Sequence, residues 1–241
     1  MVEFVIIVPY RDREQHKFYF DRHMKYILEN YDYDIIFVHQ KDNRPFNRGG
    51  MKNIGFLYAK NKYYNYKEIT FVFHDIDTLP YKKDLIHYNT EKNTIKHFYG
   101  FAFCLGGIFS IKGEDFEKIN GFPSFWTWGY EDNVIYQRAL INKLIIDRGE
   151  FYTIGNMNIL HFMDGLSKTV SKGRPSMKDI KNVHDGLDTL QNVEYKFNES
   201  DNMLDVVNFE CSLRINQKIE HVSILGKFPP KIIPNQLGKM F

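Results

Sequence analysis

Several short segments carry residues whose types and spacing suit chemistry. His74-Asp-Ile-Asp77 directly follows the apolar run Ile69-Thr-Phe-Val-Phe73. Two apart in a strand, Asp75 and Asp77 share a face, and at its end both can reach one hard cation, which would neutralise a diphosphate. The plain competing reading is a turn with solvated acids, since Asp-x-Asp recurs by chance. His161, in Ile159-Leu-His-Phe-Met163, is a candidate imidazole for the same ion. A lone histidine among apolar residues is more often a hydrogen-bonded core group.

Trp126-Thr-Trp-Gly-Tyr-Glu-Asp132 holds both tryptophans of the chain beside two adjacent acids. Indole faces stack on the C–H face of a sugar while carboxylates accept its hydroxyl protons, so the stretch reads as a sugar platform. Glu131 and Asp132 also suit the first turn of a helix, where the dipole favours acids without any catalytic role. Arg11 and Arg13 after the first strand, and Arg48 at the start of the second helix, suit phosphate or a uracil edge. Surface arginines are usually just solvated. Gly106-Gly107 either lets backbone approach a ligand or marks a bulge.

The elements that must position these residues follow from periodicity. Residues 2–8 form an almost continuous apolar run ended by Pro9, the pattern of a strand covered on both faces. Glu14 to Asn30 carries Phe18, Phe20, Met24, Ile27 and Leu28 at helical spacing, and Ile35-Ile-Phe-Val38 is the next strand. Asn47 to Lys62 is a second helix with Met51, Ile54 and Leu57 or Ala59 inward, and Ile69 to Phe73 a third strand. Such a doubly wound start binds ligands beyond the carboxyl ends of its strands, where Asp75 and Asp77 lie. Further on, a strand is expected over Gly106 to Ile111 and a helix over Glu114 to Ile119, stopped by Gly121 and Pro123. Another helix is expected over Glu131 to Ile141, a mobile loop over Gly165 to Pro175, a strand over Val206 to Ile215 and an irregular tail over 229–241.

Composition bounds the rest. A chain of 241 residues, 43% hydrophobic and 26% charged, is globular and large enough for an enzyme. A formal charge of +2 argues against nucleic acid as the main partner. Cys104 and Cys211 are the only cysteines, far apart and without metal-type spacing. The N-terminus lacks a signal peptide's basic region, and no apolar run is long enough for a membrane segment.

Together these residues resemble the β-1,4-galactosyltransferase family, in order and over nearly the whole chain. The likeness runs through Val8-Pro-Tyr-Arg-Asp-Arg-Glu-Gln-His16, Phe46-Asn-Arg48 with Asn53-Ile-Gly-Phe56, and Phe73 to Asp77. It continues with Gly106-Gly107, Ile119-Asn-Gly-Phe-Pro123, Trp126 to Asp132, His161 to Asp164 and Asp185-Gly-Leu187. Each segment alone is weak evidence; in register they are strong. The resemblance implies an α/β fold of GT-A type, Rossmann-like, with a mixed central sheet flanked by helices in a single catalytic domain over 1–241. Within it, residues 1–80 would form the nucleotide-binding half and 81–228 the acceptor and metal half. It implies an inverting hexosyltransferase using a UDP-sugar donor, a glycan or glycoside acceptor, and manganese, with magnesium as a second option. By that likeness Pro9, Tyr10, Arg11, Arg13, Phe46 and Arg48 hold uridine and phosphates, with Asp75 near the ribose or nucleotide. By the same likeness Asp77 and His161 would ligate the metal, Asp132 would be the general base, Glu131 would help hold the acceptor, Trp128 would sit on a lid closing over the donor, and Gly107 would belong to the donor site.

Departures from the family pattern set further expectations. Asn133 stands where a third acid is usual, Thr127 where a glycine usually parts the tryptophans, and Asn158 where galactosyl enzymes place a methionine ligand. Asn158 is therefore a candidate harder ligand, more tolerant of magnesium. Cys104 replaces a tyrosine that restricts the donor's 2-acetamido group, so UDP-GalNAc is expected to be accepted beside UDP-Gal, even preferred. Two other readings stay open: a retaining or polymerising GT-A enzyme, and a non-catalytic UDP-sugar or glycan-binding module. For location, the chain reads as cytoplasmic if full length, or as a trimmed piece of a Golgi-lumen enzyme.

Overall fold

The computed structural model describes residues 2–126, 129–163 and 183–215, and the backbone of 167–172 and 218–223. Strand β1 (Phe4–Tyr10), helix α1 (Glu14–Ile27), β2 (Tyr33–Gln40), α2 (Arg48–Lys62) and β3 (Thr70–His74) form the doubly wound start that the apolar periodicity predicts. Pro9 lies inside β1 rather than ending it. Beside β3, β1 is paired only through Ile7, so Pro9 falls where β2 is its remaining laddered neighbour, the edge-like setting in which proline is tolerated.

The next strands are β4 (Thr78–Pro80), β5 (Thr94–Gly100) and β6 (Ile108–Lys112), followed by α3 (Gly113–Lys118) and α4 (Glu131–Ile141). Then come β7 (Ile145–Asp147), β8 (Tyr152–Thr153), β9 (Ile159–His161), β10 (Ser167–Lys172), β11 (Gln191–Asn198), β12 (Met203–Glu210) and β13 (Lys218–Ser223). The main sheet runs β11-β12-β2-β1-β3-β6-β5-β7, with β8 also on β5. Around β1 it is parallel, and β3–β6, β6–β5 and β11–β12 are antiparallel, so the sheet is mixed. Where a mobile loop is expected, β10 instead pairs antiparallel with β13. The late strand begins and ends earlier than expected, at Met203 and Glu210, because it pairs with both β2 and β11. Residues 229–241 lie outside the described residues.

Period-two alternation in β1 splits the core between the two sheet faces. Val5 and Ile7 join Ile54, Phe56, Phe73, Phe116 and Phe122 on the α2 side, while Phe4, Ile6 and Val8 join Phe20, Met24 and Phe37 on the α1 side. Helix α2 packs very closely: a Cβ on Gly55 would meet methyl carbons of Ile7 and Val38 at 2.7 Å. That proximity brings the start of α2 to the carboxyl end of β3, where the acids are.

Candidate active site

Arg48, the first residue of α2, gathers three carboxylates. Its Nη2 donates to Asp75 Oδ1 and Oδ2 at 2.5 and 2.6 Å, and its Nη1 to Glu131 Oε1 at 2.6 Å. Nη1 also reaches both oxygens of Asp132, at 3.1 and 3.0 Å. One helical turn later Lys52, fully buried, places Nζ 3.6 Å from Asp75 and 3.7 Å from Asp132, with the Phe122 ring 4.7 Å away. Burial opposes charge on Arg48, but Asp132, Asp75 and Glu131 outweigh it and raise its pKa well above the ordinary value. Burial likewise works against ionised Asp75, yet Arg48 and Lys52 prevail and hold its carboxyl below the usual range. At Glu131 burial wins: together with the charge on Asp132 it raises the pKa against the pull of Arg48.

Local backbone devices deliver these side chains. Asn47 caps α2 by accepting from Gly50 N at 2.8 Å and ties it to the loop before Trp126 by donating to Ser124 O at 2.9 Å. Asn53 clamps both backbone polar groups of Phe122, at 2.7 and 2.9 Å. Tyr130, the N-cap of α4, has a φ of 72° that is unusual for a bulky residue, and Glu131 folds back to accept from Gly129 N at 3.1 Å. Leu105 N donates to Asp132 O at 3.0 Å, and Asp75 N to Gly107 O at 3.1 Å, so the Cys104–Gly107 turn bridges β3 and α4. Gly107 is sterically required, since its φ is 70° and a Cβ would lie 2.4 Å from Tyr99 O, whereas a Cβ at Gly106 would lie 2.6 Å from Asp132 Oδ2. Cys104 is buried in this turn, and burial pushes its thiol up to about 11.

The expected nucleotide residues lie along the same end of the sheet. Pro9 and Tyr10 finish β1, with Tyr10 buried edge-on against His39. Arg11 spends donors on Gln40 O, Arg44 O and Asp42 O, at 3.1, 2.6 and 2.9 Å, and lies 5.5 Å from the Phe46 ring. It thereby shapes the loop that carries Phe46. Arg13 Nη1 stands 3.7 Å from Asp77 Oδ2.

Asp77 and His161 are brought together by backbone pairing. Thr78 faces His161 across the β4–β9 pair, and Phe162 N donates to Asp77 O at 2.7 Å. Asn158 stands just before β9, its carbonyl accepting from Tyr81 N at 3.1 Å. No cluster of three or more His, Cys, Asp or Glu side chains suited to a metal occurs among the described residues. One carboxylate, one imidazole and one amide are donor types that a divalent cation accepts.

Trp126 does not join a sugar platform. It is 4% exposed, stacks on Phe209 at 5.0 Å and donates Nε1–H to Leu213 O at 3.0 Å, so it is a core residue. Trp128 and Thr127 lie outside the described residues. Asp185 is structural too: its carboxylate accepts from Ser212 N at 3.1 Å and from Thr189 Oγ1 at 3.0 Å. Lys52 and His97, which braces Gly106, are additions that motif spacing does not reveal.

Comparison with known proteins finds relatives over most of the chain. Residues 1–91 match the N-terminal region of glycosyl transferase group 7, and residues 87–161 match a family described as the N-terminal domain of galactosyltransferase. Beta-1,4-galactosyltransferase 4 of Cricetulus griseus is 27% identical over 218 residues, covering 79% of this chain and 62% of the relative. Xylosylprotein 4-beta-galactosyltransferase of Caenorhabditis elegans is 28% identical over 205 residues, covering 79% and 70%. The chain thus spans less than two thirds of the hamster relative. The catalytic domain of Drosophila beta1,4-galactosyltransferase 7, solved with xylobiose, superposes with a TM-score of 0.72 at 23% identity, covering 90% of this chain and 97% of that one. A mutant of the same fly protein, solved with manganese, UDP-Gal and xylobiose, superposes with a TM-score of 0.69 at 22% identity, covering 90% and 97%. The fold is therefore the GT-A type of these catalytic domains, and the chain belongs to the β-1,4-galactosyltransferase family of group 7 glycosyl transferases.

Proposed function

We propose that the protein is an inverting glycosyltransferase that moves a hexose from a UDP-sugar to a sugar hydroxyl, in β-1,4 linkage. The observation that carries the reading is the Asp132 carboxylate, in the first turn of α4 and fixed by Arg48 beside Asp75 at the mouth of the sheet. Asp132 takes the acceptor's hydroxyl proton while that oxygen bonds to the anomeric carbon. The bond from that carbon to the diphosphate breaks on the opposite face, and its electron pair leaves with UDP. Asp77 and His161, with Asn158 as third candidate, would hold a manganese ion, which when bound offsets charge on the departing diphosphate. Arg13, 3.7 Å from Asp77, and Arg48, paired with Asp75, are the cations that would meet the same phosphates. Glu131, its side chain only 3% exposed, is held between Arg48 and Gly129 N, so it would position the loop before α4 as well as the acceptor.

For the donor, UDP-Gal is favoured by the names of the relatives, and UDP-GalNAc by the small side chain of Cys104. The acceptor is proposed to be a glycan or glycoside; xylobiose, bound by the fly protein, is the first candidate to try. The test is to incubate the purified protein with manganese, either donor and a panel of GlcNAc, glucose and xylose acceptors, and to weigh the products. Asp132→Asn should lose at least about 10²-fold in rate. Transfer unaffected by that substitution would sink the assignment of the base, and metal-dependent UDP binding with no turnover would favour a binding module.

A further inference from the structure

Helix α2 presents two cations to the acids, and the transfer chemistry just described uses only one of them. Arg48 is the outer one: its guanidinium serves Asp75, Glu131 and Asp132 together, and in the proposed reaction it would also meet the incoming diphosphate. A donor brings phosphate charge that competes for it. Lys52 enters from below, 0% exposed, against Phe122. Its Nζ lies within ion-pair range of Asp75 and Asp132 and yet makes no hydrogen bond. A buried ammonium with three donors and no acceptor is costly unless it has work to do.

We propose that Lys52 is a positioning residue for the transfer: from the floor of the site it takes hold of the Asp132 carboxylate as Arg48 turns to the donor's phosphates. The inference rests on reading Asp132 as the base. At 3.7 Å a small shift of either side chain makes the hydrogen bond, while burial keeps Lys52 from following the phosphates out. The charged and titratable groups around the pair are Arg48, Asp75 and Glu131, with His74 at the end of β3 and His97 and Cys104 across the glycine turn. Among them, Lys52 is the cation whose N–H donors are unspent.

The experiment is steady-state kinetics of Lys52→Met, Asp132→Asn and the double variant, with manganese, UDP-Gal and the acceptor found above. Lys52→Met should lower kcat by about 10²-fold, the cost of a misplaced catalytic group. The donor KM should stay within about threefold, since the interaction belongs to the transition state. The double variant should be no slower than Asp132→Asn alone, because both changes remove one unit. Full activity in Lys52→Met, or losses that multiply in the double variant, would overturn the inference while leaving the transferase reading intact. A wild-type protein that transfers from neither donor would overturn both. Thermal melts monitor folding, and Lys52→Gln, which keeps a polar tip, is the second variant. Collapse of the fold in both would assign Lys52 to stability and overturn the proposal.

Discussion

Arg148 donates its Nε proton to Nδ1 of His97 at 3.2 Å, which leaves the ring's own proton on Nε2. That nitrogen faces the carbonyls of Tyr99 and Gly106, both at 3.1 Å, so a neutral imidazole braces the glycine turn that borders Asp132.

The brace predicts acid sensitivity. Burial lowers the pKa of His97 to about 4, and that of His74 likewise to about 4. In the unfolded chain each binds a proton near the ordinary value of about 6.5. Between these values the unfolded state holds more protons, so the stability is complete above about pH 6.5 and is lost as pH falls towards 4. Each histidine contributes on the order of 3 kcal/mol to that loss. Urea unfolding at a series of pH values should show the decline, and His97→Gln should flatten roughly half of it. A stability curve level across this window would refute the neutral, buried assignment.

Donor choice is tested at Cys104. The thiol sits in a tight turn, its backbone N–H on Phe101 O at 3.3 Å, one residue from the Leu105 bond to Asp132. Replacing it with tyrosine adds bulk beside the acids and should penalise UDP-GalNAc more than UDP-Gal, by about tenfold or more in the ratio of kcat/KM. Equal losses for both donors would discard the open-pocket argument.

What could be read in the sequence depended on how far local pattern matched tertiary need. The runs ending at Val8, Val38 and Phe73 are strands because both faces are covered, and Asn47 announces α2 by its capping chemistry. β4 and β9 are three residues each and mutually dependent, so neither leaves a periodic trace. β5 hides because it carries Lys96 and the buried His97 among its apolar residues. Lys52 was invisible for a simple reason: lysine on a helix normally reaches water, and only its place four residues after Arg48, on the inward face, hints otherwise. Trp126 misleads in the opposite direction, since an indole that packs on Phe209 looks in sequence like one that meets a sugar.

Metal preference tests the proposed place of Asn158 in the ligand set. An amide oxygen is a harder ligand than a thioether, so the wild-type protein should retain a substantial share of its activity when magnesium replaces manganese. Asn158→Met should restore dependence on manganese, widening the manganese-to-magnesium activity ratio by about tenfold. The check is initial rate against metal concentration for both proteins. A strict manganese requirement already present in the wild type would remove Asn158 from the ligand set.

Gly106→Ala separates catalysis from stability. A Cβ at Gly106 would lie 2.6 Å from Asp132 Oδ2 and 3.1 Å from its Cγ, both side-chain atoms of one residue, with no backbone atom among its nearest neighbours. The carboxylate is the group that must yield, and it can do so only by leaving the position fixed by Arg48. Folding should therefore suffer little, with unfolding free energy lowered by about 1 kcal/mol or less, whereas kcat should fall by about 10²-fold as the base is displaced. Binding of UDP with manganese should be preserved, because Asp77 just before β4, His161 at the end of β9 and Arg13 just before α1 stand away from the added methyl. Calorimetric UDP binding and single-turnover rates on the same preparation decide it. Loss of binding in step with rate would mean that the glycine serves the donor pocket rather than the base.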